Sequence, residues 1–140
     1  MPYELIIIPL IAGLITQGLK LATDKIKGNF DLKNLLSDYG GMPSSHTAFV
    51  ISLLTITGLK EGIRSTYFAI VFMIAFIVIR DAVGLRRQIG QQGQAINQII
   101  QKNSLKLSPM ADKVGHRWLE VFIGGLLGLA IALIYQYFSC

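Results

Sequence analysis

The chain has 140 residues, of which 52% are hydrophobic and only 15% are charged, and its net charge is +5. Soluble domains carry about 25% charged residues, so this composition indicates a protein of the lipid bilayer. The basic residues lack the clustered stripe, interleaved with aromatic residues, of a nucleic-acid-binding protein, and a single cysteine, Cys140, excludes an intrachain disulfide and a cysteine metal site.

The first apolar segment covers residues 5–21 and is interrupted by Thr16, Gln17 and Lys20. A spanning helix needs roughly 20 residues, each rising ~1.5 Å through the hydrocarbon, and this segment is long enough. It has neither the basic start nor the small-residue cleavage site of a signal peptide, so we predict a retained membrane helix. Lys20 either snorkels to the membrane surface or points inward at an anion, and the sequence leaves both readings open.

Three further apolar segments cover residues 47–59, 67–79 and 118–138. The last is long enough to span, whereas the other two span only if flanking polar residues enter the bilayer facing protein or water. We therefore predict an all-α fold: one integral membrane domain, residues 1–140, forming a small bundle of about four spans. The alternative, a soluble core hairpin, is disfavoured because so short a chain could not cover four apolar helices.

Polar connections at 22–45, 60–66 and 80–117 join these segments. With four spans, the first and third connections lie on the same side of the membrane. They carry ten Lys and Arg residues, whereas the second carries only Lys60 and Arg64. The positive-inside rule then predicts that both long connections are cytoplasmic, and we expect the plasma membrane of a bacterium.

The start of the third connection has the pattern of a helix rather than a loop. Residues 81–101 contain no proline and carry spaced apolar residues, namely Val83, Ile89, Ile96, Ile99 and Ile100. We predict a helical extension of the third span, running into the cytoplasm or along the interface, that ends by Ser108-Pro109.

The first histidine, His46, follows the sequence Gly-Gly-Met-Pro-Ser-Ser at 40–45. The glycines permit a turn, Pro43 fits the first turn of a helix, and Ser44 or Ser45 can cap or line it. A helix N-terminus with free N–H groups and hydroxyls can hold an anion, and a histidine there can protonate a leaving oxygen. The alternative is an ordinary N-cap with a surface histidine, and this segment alone does not decide between them.

The second histidine, His116, precedes Glu120 by four residues, a spacing that places both on one helical face. A carboxylate that accepts the N–H of one imidazole nitrogen fixes the tautomer and leaves the other nitrogen free to attack. Glu120 also lies in an apolar span, where a carboxylate needs a partner. The alternative is a surface pair at the membrane boundary.

Residues 80–91 form the densest charged cluster. Its arginines, including Arg86 and Arg87, can bind phosphate through guanidinium forks, and Asp81 can orient one of them. The alternative is a snorkelling, positive-inside anchor.

The last apolar segment carries Gly124, Gly125 and Gly128. Gly124 and Gly128 are four residues apart and therefore form a small-residue face for close helix packing.

Three segments together resemble the divergent branch of the type-2 phosphatidic acid phosphatase family, which is related to acid phosphatases and vanadium-dependent haloperoxidases. They are GGMPSSHTA at 40–48, RDAVGLRRQIGQQ at 80–92 and GHRWLEVFIGGLLG at 115–128. With Lys20 and the apolar spans, the resemblance covers nearly the whole chain. Since the membrane phosphatases commonly have six helices, the four expected spans imply a reduced version of that bundle.

The resemblance implies a metal-independent phosphatase that works through a phosphohistidine and uses no cofactor. Pro43-Ser44-Ser45-His46 matches the Pro-Ser-Gly-His motif, which supplies phosphate contacts and an acid. His116 and Glu120 match the nucleophile and its partner, with glutamate in place of aspartate. The implied catalytic residues are thus His116, His46 and Glu120, and the phosphate-binding set is Lys20, Ser44, Ser45, Asp81, Arg86 and Arg87.

Two positions depart from the family pattern. Met110 stands six residues before His116, where the superfamily has an arginine. Lys20 is followed seven residues later by Lys27 rather than by an Arg-Pro pair. The phosphate charge would then have to be met by Lys20, Arg86 or Arg87.

Three hypotheses follow for function. The first is a lipid-phosphate phosphatase, the second a protein that binds or transports a lipid phosphate without turnover, and the third a structural membrane subunit. The expected partners are the membrane and a lipid phosphate substrate, with no nucleic acid, and the sequence leaves a homo-oligomer open.

Overall fold

A computed structural model describes residues 3–23, 42–110 and 114–139, and within these ranges the regular structure is entirely helical. The helices are α1 (Glu4–Thr23), α2 (Ser45–Glu61), α3 (Thr66–Val83), α4 (Leu85–Lys102) and α5 (Trp118–Ser139). The predicted fold class, an all-α membrane bundle, is confirmed. Predictions that concern Lys25, Lys27, Lys33, Gly40, Gly41, Lys113 and Cys140 lie outside the described residues.

Three helical stretches of the described chain are long and apolar enough to cross a membrane: Glu4–Ala22, Thr66–Lys102 and Trp118–Ser139. The second of these stretches is longer than its apolar segment, because the helical stretch continues through the charged residues that follow it. The predicted second span corresponds to α2, which has 17 residues.

Helix α2 is the central helix of the bundle, since it packs against α1, α3 and α5. This position explains how a short segment with many hydroxyl groups fits among apolar helices. Its polar side chains at Thr47, Ser52 and Thr57 are buried inside the protein. They face neighbouring helices rather than lipid, as expected for polar groups at membrane depth.

Glycines of α5 bring that helix into direct contact with the backbone of α2. A Cβ atom at Gly124 would overlap the carbonyl of Ser44, and one at Gly128 would overlap the carbonyl of Ala48. The Ser44 N–H also donates a hydrogen bond to the Glu120 carbonyl, 3.2 Å away. The predicted small-residue face is therefore the α2–α5 interface, and it joins the two segments that carry the histidines.

Helix α4 follows α3 after Gly84 alone, so the predicted helical extension is confirmed.

At the far end of the bundle, Glu4 joins three helices. Its carboxylate lies 2.9 Å from Lys60 Nζ on α2 and accepts a 3.0 Å hydrogen bond from the Tyr135 hydroxyl on α5. The two ends of the bundle thus hold separate polar clusters.

Candidate active site

The segment before α5 is held against the junction between α3 and α4. Gly115 has φ +92°, in the left-handed region that favours glycine. Any Cβ there would also overlap the backbone of Arg86 and Arg87. The next residue, His116, donates its backbone N–H to the carbonyl of Ala82 at 3.0 Å. Gly115 therefore lets the chain approach closely enough for His116 to be fixed at the end of α3.

The predicted pair between His116 and Glu120 is present. The Nδ1 atom of His116 lies 3.1 Å from Oε2 of Glu120, and the same oxygen accepts the Arg117 backbone N–H at 3.1 Å. Because α5 begins at Trp118, His116 lies before the helix rather than on its face. Glu120 is the third residue of α5, and its carboxylate oxygen, which accepts the N–H of the residue before the helix, also lies against the imidazole.

Burial controls the protonation of His116, whose residue surface is only 7% exposed. Burial lowers the pKa of His116, the hydrogen bond to the Glu120 carboxylate raises it, and electrostatic interactions with Lys20 and His46 lower it again, with a net decrease. The imidazole is consequently neutral at neutral pH. Since a carboxylate only accepts hydrogen bonds, the proton is on Nδ1 and the lone pair is on Nε2.

Lys20 is buried in the protein rather than extended to the membrane surface, so the snorkelling alternative is wrong, and its assignment as a phosphate-binding residue stays a prediction. Its residue surface is 2% exposed, and its charge acts on the pKa of His116. One turn earlier on α1, Gln17 accepts a 2.9 Å hydrogen bond from the Ser45 hydroxyl of α2. In the sequence, Gln17 is identified only as an interruption of the first apolar segment. Its position three residues before Lys20 is the pattern that could have identified it as part of the site.

The serines before His46 have different partners. Ser44 is the N-cap of α2 and is fully buried, and its Oγ accepts from the Thr47 N–H at 3.4 Å and from the Thr47 hydroxyl at 2.9 Å. Ser45 is the first helical residue, so Pro43 lies before the helix and not in its first turn. His46, the second residue of α2, is exposed.

The arginine cluster contributes one ordered ion pair. Arg86 Nε donates to Asp81 Oδ2 at 2.8 Å, so Asp81 orients an arginine as predicted. The Arg87 side chain is exposed. The backbone of both arginines lies next to Gly115, so the cluster borders the segment that carries His116.

Met110 is held by α4. Its backbone N–H donates to Asn97 Oδ1 at 2.7 Å, and its carbonyl accepts from Asn97 Nδ2 at 2.9 Å. The side chain is exposed. The position at which the superfamily carries an arginine is thus fixed through its main chain.

Within the described ranges, no three His, Cys, Asp or Glu side chains are grouped as metal ligands. The groups that this end of the bundle brings together are imidazole, ammonium, guanidinium, hydroxyl and carboxylate. Such a set can bind an oxyanion and exchange protons with it.

The sequence model of the "Divergent PAP2 family" matches residues 2–131. The chain belongs to the divergent PAP2 family. It is also 37% identical to the "Uncharacterized membrane protein YuiD" of Bacillus subtilis (strain 168), over 75% of this chain and 76% of that protein. No solved structure matches the chain. Family membership makes this a phosphatase-related membrane protein and confirms the resemblance seen in the three motifs.

Proposed function

We propose that this divergent PAP2 protein is a lipid-phosphate phosphatase that hydrolyses phosphomonoesters through a phosphohistidine, without a metal. The observation that carries the proposal is the buried His116, whose Nδ1 faces Glu120 at 3.1 Å and whose pKa responds to Lys20 and His46. A neutral, oriented imidazole beside a buried cation is what nucleophilic attack on a phosphate requires.

In the first step, Nε2 of His116 attacks the phosphorus of the lipid phosphate. The N–P bond forms as the bond to the lipid oxygen breaks, and His46 gives its proton to the departing alkoxide. Glu120 stabilises the imidazole as it becomes positive. Lys20 and the arginines offset the charge on the phosphoryl oxygens.

In the second step, water attacks the phosphohistidine. His46, now neutral, accepts a proton from the water as the N–P bond breaks, and phosphate leaves. His116 then returns to its starting form. We place the site on the cytoplasmic side of a bacterial plasma membrane. The two long connections adjoin the site and carry most of the basic residues, and the positive-inside rule assigns such connections to the cytoplasm.

The site suits a substrate whose phosphate is at a membrane surface and whose tail is in lipid. The outward faces of α1, α3 and α5 carry exposed large apolar residues, among them Leu14, Phe76 and Phe122. A phosphomonoester on a lipid would reach Lys20 and His116 without leaving the bilayer. Phosphatidate, phosphatidylglycerol phosphate and isoprenyl phosphates all have this form.

The pH profile of the reconstituted protein tests the protonation state on which the mechanism depends. With phosphatidate in vesicles, we expect kcat/KM to fall on the acid side with an apparent pKa below the ordinary histidine value of about 6.5. Glu120→Gln removes the interaction that raises the pKa of His116. The acid limb should then move to still lower pH, while the rate falls by about a hundred-fold or more because the tautomer is no longer fixed.

The matched control is Glu61→Gln, which changes an exposed carboxylate at the C-terminal end of α2. This variant should leave unchanged both the rate and the position of the acid limb of the pH profile. An acid limb that stays in place in Glu120→Gln would contradict the assignment of that limb to His116.

A second candidate function is binding or transport of a lipid phosphate without turnover. The observation that favours it is Met110, which stands where the superfamily has an arginine and whose exposed side chain brings no charge. Weaker stabilisation of the transition state would then leave a site that holds phosphate but does not transfer it.

This candidate predicts stabilisation without chemistry. Phosphatidate should raise the free energy of unfolding in detergent by about 2.7 kcal/mol at about 100 times its Kd, and no phosphate should be released. Phosphatidylcholine, which has no phosphomonoester, is the control and should have no such effect. Thermal unfolding with a phosphate assay on the same samples separates the two functions, and the absence of any shift would count against both.

A further inference from the structure

Helix α4 begins where the membrane-spanning helix α3 ends. The 18 residues of α3 rise about 27 Å at ~1.5 Å each, close to the ~30 Å of the hydrocarbon layer. The 18 residues of α4 therefore lie beyond the hydrocarbon core, at the end of the bundle that holds His116. Among the described elements, α4 packs closely only against α3.

One stripe of α4 is apolar and exposed. It consists of Leu85, Ile89, Ile96 and Ile99, whose residue surfaces are 64%, 51%, 39% and 55% exposed. The stripe continues into the next segment with exposed Leu105 and Leu107. The opposite side of the helix carries the glutamines Gln91, Gln94, Gln98 and Gln101, whereas Gln88 and Gln92 lie along the stripe itself. This is the pattern of a helix that lies in a membrane interface.

The charges of α4 and the segment after it indicate which surface the apolar stripe contacts. Residues 85–110 contain no Asp or Glu and carry four basic residues, namely Arg86, Arg87, Lys102 and Lys106. A second copy of the helix would place like charges together, with no acidic residue in this region to pair with them. An anionic lipid leaflet, in contrast, attracts each basic residue near its surface.

We propose that α4 and residues 103–107 lie in the plane of the anionic leaflet at the His116 end of the bundle. The apolar stripe enters the boundary between headgroups and acyl chains, and Lys102 and Lys106 at the C-terminal end of this segment bind anionic headgroups. This surface is independent of turnover, so it stands or falls separately from the phosphatase mechanism.

Nitroxide labels on the full chain in lipid nanodiscs test the proposal. On a Cys140→Ser background, one label replaces Ile96 in the apolar stripe, and a matched control replaces Gln98 on the opposite side. In nanodiscs that contain phosphatidylglycerol, the label at 96 should collide several-fold more with oxygen than with a water-soluble nickel chelate. The label at 98 should show the reverse preference.

Each other outcome contradicts the proposal. Equal access to the nickel chelate at both positions would mean that α4 stands in water. Protection of the label at 96 from both reagents, with spin–spin broadening between copies, would mean that the stripe is covered by a second chain.

Charge reversal tests the electrostatic part. Lys102→Glu combined with Lys106→Glu should reduce the preference for oxygen at position 96, and nanodiscs of phosphatidylcholine alone should do the same. Arg64→Glu, at the opposite end of the bundle, is the control and should change nothing. If the label at 96 prefers oxygen as strongly in the double variant as in the parent, the proposed recognition of anionic lipid is wrong.

Discussion

Replacing His116 with alanine is expected to reduce phosphate release from phosphatidate by at least about a thousand-fold. The substitution removes the only buried imidazole of the described chain, and with it the nitrogen that accepts the phosphoryl group. Neither His46, which is exposed, nor water can replace an oriented nucleophile next to Lys20. Single-turnover assays in proteoliposomes measure the loss directly.

The control for this experiment is Arg64→Ala, which removes an exposed charge between α2 and α3 at the other end of the bundle. It should release phosphate at the parent rate. Thermal unfolding of both variants establishes that they are folded. Phosphate release that persists in folded His116→Ala would rule out the histidine mechanism.

The second large effect is expected at the interface between α2 and α5. Gly128→Ala should lower the free energy of unfolding by about 1–3 kcal/mol, because the new methyl group has no space in a close-packed contact. The added carbon would overlap the Ala48 carbonyl, which is backbone and cannot rotate away. The displacement would also move Glu120 and His116 relative to α2, so activity should fall together with stability.

Gly125→Ala is the matched control, three residues away on the same helix. A Cβ there would meet side-chain atoms of Ile51 and Thr47 at 3.7 Å, an ordinary contact. Alanine favours a helix more than glycine does, so this variant should be at least as stable as the parent. Equal melting temperatures for the alanine variants at 125 and 128 would contradict the close approach of the two helices.

Local patterns in the sequence predict much of this structure. The apolar segments predict the four helices that form the bundle, and the lack of proline after Arg80 predicts the helix that follows. The four-residue spacing of His116 and Glu120 predicts their contact, and the spacing of Gly124 and Gly128 predicts a packing face. Each of these features depends on residues close together in the chain. Helical periodicity accounts for the helices and for the glycine face, whereas His116 contacts Glu120 from the segment just before α5.

Features that depend on distant residues could not be predicted in this way. The hydrogen bond between Gln17 and Ser45 joins residues 28 positions apart. The inward direction of Lys20 depends on how α1 packs. Gly115 resembles an ordinary loop glycine until the backbone of α4 is placed against it. The central position of α2 likewise reflects tertiary packing, since its sequence is the least apolar of the four bundle helices.

The most direct test of the proposed mechanism is to trap the phosphorylated protein. Protein reconstituted with phosphatidate that carries a radioactive phosphate would be quenched within one turnover, digested and mapped. We expect label on the peptide that contains His116, stable in alkali and lost in acid, as a phosphoramidate bond requires. Phosphate release with no label on His116, or with label on another residue, would contradict the account.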